Sequence, residues 1–242
     1  MKVGFIGHGN MAKAMIKGMN ISVNISNGEN NQGIVDSCDV IFLTVKPQKY
    51  GEVLKSLKNL KNKILVSVAP GISIKWIENL TKAKVIRTMP NTPALVGQGV
   101  TAICKSKAVS KKDYASVVKL LKSFSMVYEI SEKDMDMAIA LSGSSPVIAF
   151  TVIDAMIQFA KSHCKEYSIS ENKAKLVAAN TLIGAAKLLL ESNDMPQGLV
   201  QKVCSKGGTT EKMVEALQKY DLAGVIKKSM LACLLRAKEM KK

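Results

Sequence analysis

The chain has 242 residues, 47% of them hydrophobic and 22% charged, a composition that excludes an intrinsically disordered protein. Its net charge of +16 comes from 33 lysines and only two arginines, Arg87 and Arg236, while aromatic residues make up 5%. Base recognition relies on arginine forks and aromatic platforms, so the composition argues against nucleic-acid binding. A solvated lysine surface that attracts anionic small molecules is the simpler interpretation.

Neither a targeting segment nor a membrane span is expected. The first predicted strand begins directly after Met1, which indicates that no cleavable signal precedes it and that the protein is cytoplasmic. The longest apolar stretches, residues 146–160 and 176–190, are shorter than the roughly 20 residues that a span requires. The five cysteines lack a Cys-x-x-Cys pair, so we expect free buried thiols and no metal site.

Strands and helices alternate from the first residues onward, which is typical of a parallel sheet flanked by helices. In chain order we predict strand 2–6, helix 10–19, strand 21–26, helix 31–37, strand 40–45, helix 49–57, strand 63–68, helix 74–80, strand 84–88, strand 99–104, helix 111–124 and strand 126–130. The sequence therefore predicts an α/β domain over residues 1–130.

From residue 131 onward the pattern predicts only helices, five or six of them, with breaks at residues 142–146, 193–196 and 206–208. Ser168 and Glu171 predict a capping box for a helix that runs to about residue 190. That helix is apolar on nearly every side, and a helical half of about 110 residues cannot bury it alone. We therefore expect at least a homodimer.

A glycine-rich segment follows the first strand and opens the first helix, the context of a dinucleotide-binding loop. Its residues are Gly7, His8, Gly9, Asn10, Met11 and Ala12. Gly7 permits the tight turn, Gly9 lets a pyrophosphate approach the backbone, and Ala12 allows close packing of helix on strand. The amides of residues 9–11 would then face the phosphates, whereas the alternative is a plain strand–helix turn.

Four later segments carry a family resemblance: T-V-K-P-Q at residues 44–48, R-T-M-P-N-T-P-A at 87–94, L-S-G-S-S-P at 141–146 and S-K-G-G-T-T at 205–210. Together they resemble pyrroline-5-carboxylate reductase, nearly end to end. The resemblance implies a Rossmann-like domain over residues 1–130 and an all-helical dimerisation and substrate-binding domain over 131–242. It also implies reduction of a cyclic imine, 1-pyrroline-5-carboxylate, to proline with NADPH or NADH.

β-Hydroxyacid dehydrogenases are the nearest rival family. They would place a catalytic lysine on the helix after the interdomain glycine motif. Residues 146–160 contain no lysine, so this rival is disfavoured.

The resemblance implies two sets of site residues. The cofactor set is Gly7, His8, Gly9, Asn10, Met11, Asn31, Thr44, Val45, Lys46, Pro47 and Ala69. The substrate set is Ser144, Gly207, Gly208, Thr209 and Thr210. Within it, the resemblance makes Thr210 the catalytic residue, with its hydroxyl near the ring nitrogen as hydrogen-bond partner or proton relay. The residues alone leave simpler roles open: a helix cap at residues 207–208, an N-cap at 142–145, a strand terminator at Pro47, and Asn91 bracing its own turn.

Residues 21–31 allow two alignments with the family. If Asn31 matches a cofactor-contacting asparagine, strand 21–26 is the family's third strand, and the second strand and its helix are missing. The groups that read the ribose 2′ position would be missing with them, which leaves the preference between NADPH and NADH open. Alternatively, strand 21–26 is the second strand and Glu29, 22 residues after Gly7, is a ribose-binding acid.

Smaller departures from the family pattern are Pro70, Ser145, Gln201 and Lys206. With the short nucleotide domain, they leave two other functions open. One is a nucleotide-binding relative with little or no reductase activity. The other is a reductase of another cyclic imine.

Overall fold

The computed structural model describes residues 1–163 and 166–241 and divides the chain into two compact units. One unit comprises Met1–Pro146 and the described part of Met230–Lys242, and the other comprises Val147–Ser229. The domain boundary at residue 130, which follows the change from strands to helices, stays a prediction.

The first unit alternates strands and helices. Its elements are β1 Val3–Ile6, α1 Asn10–Met19, β2 Asn24–Ser26, α2 Asn31–Ser37, β3 Val40–Leu43, α3 Tyr50–Ser56, β4 Ile64–Ser67, α4 Ile74–Thr81, β5 Lys84–Met89, β6 Gly99–Lys105, α5 Lys111–Lys122, β7 Ser125–Glu129 and α6 Met135–Ala138. A π-helical turn, Ile139–Gly143, leads into α7 Pro146–Ser162. The remaining helices are α8 Glu171–Glu191, α9 Pro196–Val203, α10 Thr209–Lys219 and α11 Leu222–Glu239.

The seven strands form one sheet in the order β2-β1-β3-β4-β5-β6-β7, and every neighbouring pair is parallel except β5 with β6. Every residue of β1, β3 and β4 is buried, because helices cover both faces of a parallel sheet. Alternate residues supply two separate apolar cores: Ile6 and Ile41 lie in one, whereas Phe5 and Phe42 stack in the other with ring centroids 4.8 Å apart. The predicted Rossmann-like fold class is confirmed.

The edge of the sheet beyond β1 is short. In the standard dinucleotide-binding order two strands lie outside the first strand, whereas among the described residues β2 alone occupies that side. This topology agrees with the predicted absence of one strand–helix unit. Because β2 pairs directly with β1 in the slot of a second strand, its position leaves both alignments of residues 21–31 open.

The predicted helix break at residues 142–146 is present but shorter: residues 144 and 145 form a bend and a turn, whereas 142 and 143 belong to the π turn and Pro146 begins α7. The run Glu132–Ser162 is long and apolar enough to cross a membrane by length and composition alone, which is weak evidence for a span. Its first turns instead pack into the sheet unit: Met135 is fully buried, and the buried Asp136 pairs with Lys241 at 2.6 Å.

The predicted capping box of Ser168 with Glu171 is also wrong. Helix α8 begins at Glu171, and its N-cap is Ser170, whose hydroxyl accepts from the amide of Lys173 at 3.4 Å. Apolar residues occur along the whole length of this helix, as predicted. Within the chain, Leu176, Ile183 and Leu188 of α8 are more than half exposed, so this helix lacks an apolar cover in a single subunit.

Candidate functional site

The glycine loop after β1 is fastened on both sides. Gly7 has a φ of +100°, and a Cβ there would lie 2.8 Å from the backbone of Thr44 and Val45, so only glycine fits. The Gly7 amide donates to the carbonyl of Ser26 at 2.9 Å, and the Thr44 hydroxyl donates to the Gly7 carbonyl at 2.8 Å. The ends of β2 and β3 therefore hold the turn in place.

The N-terminus of α1 is open to an anion. Gly9 is its N-cap, with no side-chain cap and no acidic residue in the first turn, and a Cβ at Gly9 would meet nothing within 4 Å. His8, Gly9 and Asn10 are exposed, whereas Ala12 is fully buried against the sheet. The amides of a first helical turn lack helical partners and carry positive potential. These features fit the pyrophosphate of a dinucleotide.

The ends of β3 and β4 carry the next two predicted cofactor segments, Thr44–Pro47 in sequence after β3 and Ala69 after β4. Tyr50 ties these ends together: its hydroxyl donates to the Leu43 carbonyl at 2.6 Å and accepts from the Ser67 hydroxyl at 3.3 Å. Tyr50 is fully buried, and this burial raises its pKa to about 12, so it stays protonated at neutral pH. Sequence reasoning missed Tyr50, because it reads as one more apolar position of helix 49–57.

Both candidates for the ribose end lie in the loop and helix that follow β2. The Asn31 side chain accepts from the Ser26 hydroxyl at 2.8 Å, and Glu29 is exposed three residues after Ser26. Since the Ser26 carbonyl bonds the Gly7 amide, this loop adjoins the glycine loop. Both residues lie in this loop or at the start of α2, and the structure does not choose between them.

Ser144 lies exposed at the end of the π turn, and its amide donates to the Ile139 carbonyl at 2.8 Å. The buried Asn91 side chain does more than brace its own turn, because its Nδ2 donates to the Ser142 carbonyl at 3.0 Å. The first two residues of this serine-rich segment, Ser142 and Gly143, thus belong to a π turn attached to the sheet unit. Single π turns of this kind are frequent at functional sites.

The second glycine turn lies in the other unit, before α10. Gly207 has a φ of +75°, and the extended Gly208 caps α10 without a side-chain cap. A Cβ at Gly208 would lie 2.5 Å from the Ser205 hydroxyl. The Gly207 amide donates to the Glu211 carboxylate at 2.7 Å, so this turn already binds a carboxylate of its own chain.

The predicted site residues are therefore divided between the two units. The glycine loop, the segments after β3 and β4, and Ser144 belong to the first unit, whereas residues 207–210 belong to the second. Thr209 is exposed and Thr210 half-buried. Among the residues that the structure describes, no group of three His, Cys, Asp or Glu side chains is placed to hold a metal ion. The four described cysteines, Cys38, Cys104, Cys204 and Cys233, carry free thiols.

Two family models match the chain. Residues 132–240 match the model described as pyrroline-5-carboxylate reductase dimerisation, and residues 20–71 match the model described as NADP oxidoreductase, coenzyme F420-dependent. Curated relatives named pyrroline-5-carboxylate reductase include that of Escherichia coli K12, which is 30% identical over 272 positions covering 100% of this chain and 98% of the relative. The relative from Aquifex aeolicus is 31% identical, covering 99% and 97%.

Two solved structures extend the comparison to three dimensions. Pyrroline carboxylate reductase from Plasmodium falciparum with NADP bound superposes with a TM-score of 0.91 at 28% identity, covering 100% of this chain and 98% of that one. The 1-pyrroline-5-carboxylate reductase from Streptococcus pyogenes gives 0.89 at 29% identity, covering 99% and 98%. The Escherichia coli alignment has 272 positions against 242 residues here, a difference of 30 positions.

Proposed function

Because the chain belongs to the pyrroline-5-carboxylate reductase family, we propose that it reduces 1-pyrroline-5-carboxylate to proline with NADPH or NADH, the last step of proline biosynthesis. The observation that carries this proposal is the match to curated reductases along the full length of the chain. The open N-terminus of α1 supports it as well, because an uncapped helix N-terminus with space beside Gly9 suits a pyrophosphate.

The first unit holds the cofactor in this proposal. The amides of Gly9, Asn10 and Met11 bind the pyrophosphate, with His8 beside them in the loop. The residues from Thr44 to Pro47 and Ala69 line the edge of the sheet where open α/β sheets bind their ligands. Asn31 or Glu29 lies at the ribose end. A reduced nicotinamide supplies the hydride when it is bound.

The substrate demands little chemistry from the protein, since a protonated imine is already electrophilic. The ring carbon of the C=N bond accepts hydride, and the nitrogen keeps its proton as the amine of proline. The protein holds the carboxylate and orients the ring, work done by preorganised donors.

We assign the substrate carboxylate to the second glycine turn, Gly207 and Gly208 with Thr209, at the N-terminus of α10. The Gly207 amide donates to the Glu211 carboxylate and the Gly208 amide to the Ser205 carbonyl. The substrate carboxylate therefore either displaces Glu211 or binds the first-turn amides of α10, which have no helical partner. The Thr210 hydroxyl bonds the ring nitrogen as partner or proton relay, and we also assign Ser144 to substrate binding.

We also propose that the chain assembles with copies of itself. Residues 1–130 bind the nucleotide, and residues 131–242 form a homodimer or higher homo-oligomer that covers the exposed apolar face of α8. The match of residues 132–240 to a dimerisation model supports this arrangement. The partners are then a small cyclic imine carboxylate and a second copy of the chain, in the cytoplasm, without nucleic acid or membrane.

The decisive experiment supplies 1-pyrroline-5-carboxylate with each cofactor and follows the loss of reduced-nicotinamide absorbance. Turnover with the five-membered imine supports the proposal, whereas turnover only with a six-membered imine indicates a reductase of another cyclic imine. A folded protein that changes NADPH fluorescence but turns over neither imine is a nucleotide-binding relative without reductase activity, and that result overturns the proposal.

A further inference from the structure

The Asn91 side chain joins two segments that are distant in the sequence. Its Nδ2 donates to the Ser142 carbonyl at 3.0 Å, and its Oδ1 accepts from the Val100 amide at 2.8 Å. Asn91 is only 5% exposed, so both bonds are shielded from water and costly to lose. One side chain thus fastens the π turn Ile139–Gly143 to the start of β6.

A second side chain reinforces the same turn from β7. The Tyr128 hydroxyl lies 3.1 Å from the Ser142 hydroxyl, which itself donates to the Ala138 carbonyl at 2.9 Å. A π turn departs from the regular helical hydrogen-bond pattern, so it depends on such outside contacts to keep one geometry. The sheet therefore sets the place of the turn, and with it the place of Ser144.

We propose that Asn91 is a positioning residue of the substrate site: it holds the π turn so that Ser144 keeps the place from which it contacts the imine. This inference rests on the proposed function. The cofactor segments follow β1, β3 and β4, and none of the bonds described for them involves the π turn. Loss of Asn91 should therefore weaken substrate binding and leave cofactor binding unchanged.

Asn91→Asp is the sharpest variant, because it is nearly isosteric and keeps an oxygen for the Val100 amide. It replaces the Nδ2 donor with a carboxylate oxygen that faces the Ser142 carbonyl. We expect the KM for 1-pyrroline-5-carboxylate to rise about 10-fold or more, with kcat within about 3-fold and NADPH affinity within about 2-fold of the parent.

Thr101→Val is the matched control. Thr101 is fully buried on β6, and its hydroxyl donates to the Ser125 hydroxyl at 2.9 Å without touching the turn. A general loss of stability would affect both variants alike. We expect a selective rise in KM in Asn91→Asp and not in Thr101→Val. An equal rise in Thr101→Val would overturn the inference.

Hydrogen exchange gives a readout that does not depend on turnover. Asn91→Asp should speed amide exchange in residues 139–145 by about 10-fold or more, whereas Thr101→Val should not. Unchanged exchange in that segment, or an unchanged KM, overturns the inference. A parent that lacks turnover refutes the proposed function instead, and exchange then still decides whether Asn91 fixes the turn. If Asn91→Asp does not fold, Tyr128→Phe removes the other outside bond and must show the same pattern.

Discussion

Gly7 and Gly9 lie two residues apart in the glycine loop but serve different purposes. Gly7 is required by the fold, because its positive φ and the backbone of Thr44 and Val45 leave no room for a Cβ. Gly9 has an ordinary φ of −76°, and empty space surrounds the position where its Cβ would lie. That space is the expected place of the pyrophosphate.

Gly9→Ala should separate binding from folding. We expect its free energy of unfolding to stay within about 0.5 kcal/mol of the parent at equal protein concentration, since the new methyl group meets no atom of the chain. NADPH affinity should fall about 10-fold or more, because the methyl group obstructs the phosphates. Urea unfolding and a fluorescence titration measure the two quantities. Gly7→Ala is the contrasting variant and should lose stability. Undiminished NADPH affinity in Gly9→Ala would contradict the placement of the pyrophosphate beside Gly9.

Tyr50 should make stability depend on pH in the alkaline range. Its pKa is about 12 in the folded chain and roughly 10 when exposed. The folded state thus holds the proton more tightly, so the stabilisation is complete below pH 10 and is lost as the pH rises toward 12. Tyr50→Phe should cost about 1–3 kcal/mol at neutral pH by removing the donor to Leu43. The difference in unfolding free energy between the parent and Tyr50→Phe should be smaller at about pH 11 than at about pH 8. An equal difference at both pH values would count against the raised pKa of Tyr50.

At the scale of elements, the short edge of the sheet has the clearest consequence for function. The element that normally reads the ribose 2′ position is absent from the described residues beyond β2. We therefore expect affinities for NADPH and NADH to differ by less than about 100-fold, or 2.7 kcal/mol. Titration with each cofactor measures the ratio, and a larger difference would reveal a ribose contact elsewhere. Glu29→Gln should weaken NADH binding only if Glu29 is the ribose-binding acid.

Periodicity predicted all seven strands and the parallel sheet, because the buried strands are continuous apolar runs. It failed where tertiary contacts override local signals. Ser142 and Gly143 read as part of a helix break, yet they belong to a π turn that Asn91 and Tyr128 hold through Ser142, and the break is confined to residues 144–145. Ser168 and Ser170 both offer a capping hydroxyl to the same helix, and only the backbone geometry selects Ser170.

The two glycine turns could be predicted from the sequence, because such turns require glycine at fixed positions for steric reasons. The tie between β3 and β4 through Tyr50 was not, because a buried tyrosine looks like any apolar position until its hydroxyl partners are known. The occupation of the Gly207 amide by Glu211 was hidden for a similar reason, since a first-turn glutamate also serves as an ordinary helix residue.

At the scale of the whole molecule, the exposed apolar face of α8 predicts self-association. Leu176, Ile183 and Leu188 are each more than half exposed in the single chain, and such a surface is normally covered by a partner. We expect a dimer or larger homo-oligomer by sedimentation at micromolar concentration. Leu188→Asp should weaken the assembly, because a carboxylate would be buried without a partner. A monomeric parent would contradict the interface.

The central claim is that the protein reduces 1-pyrroline-5-carboxylate through the second glycine turn, and the parent and Thr210→Ala assayed side by side test it most directly. We predict turnover by the parent with NADPH or NADH, and a loss of about 10- to 100-fold in Thr210→Ala, on the order of 1.4–2.7 kcal/mol. The loss is partial because the imine can arrive protonated. Ser116→Ala, an exposed hydroxyl on α5, should keep parent activity. Equal activity in Thr210→Ala would contradict the residue assignment, and a folded parent inactive with both cofactors would contradict the function itself.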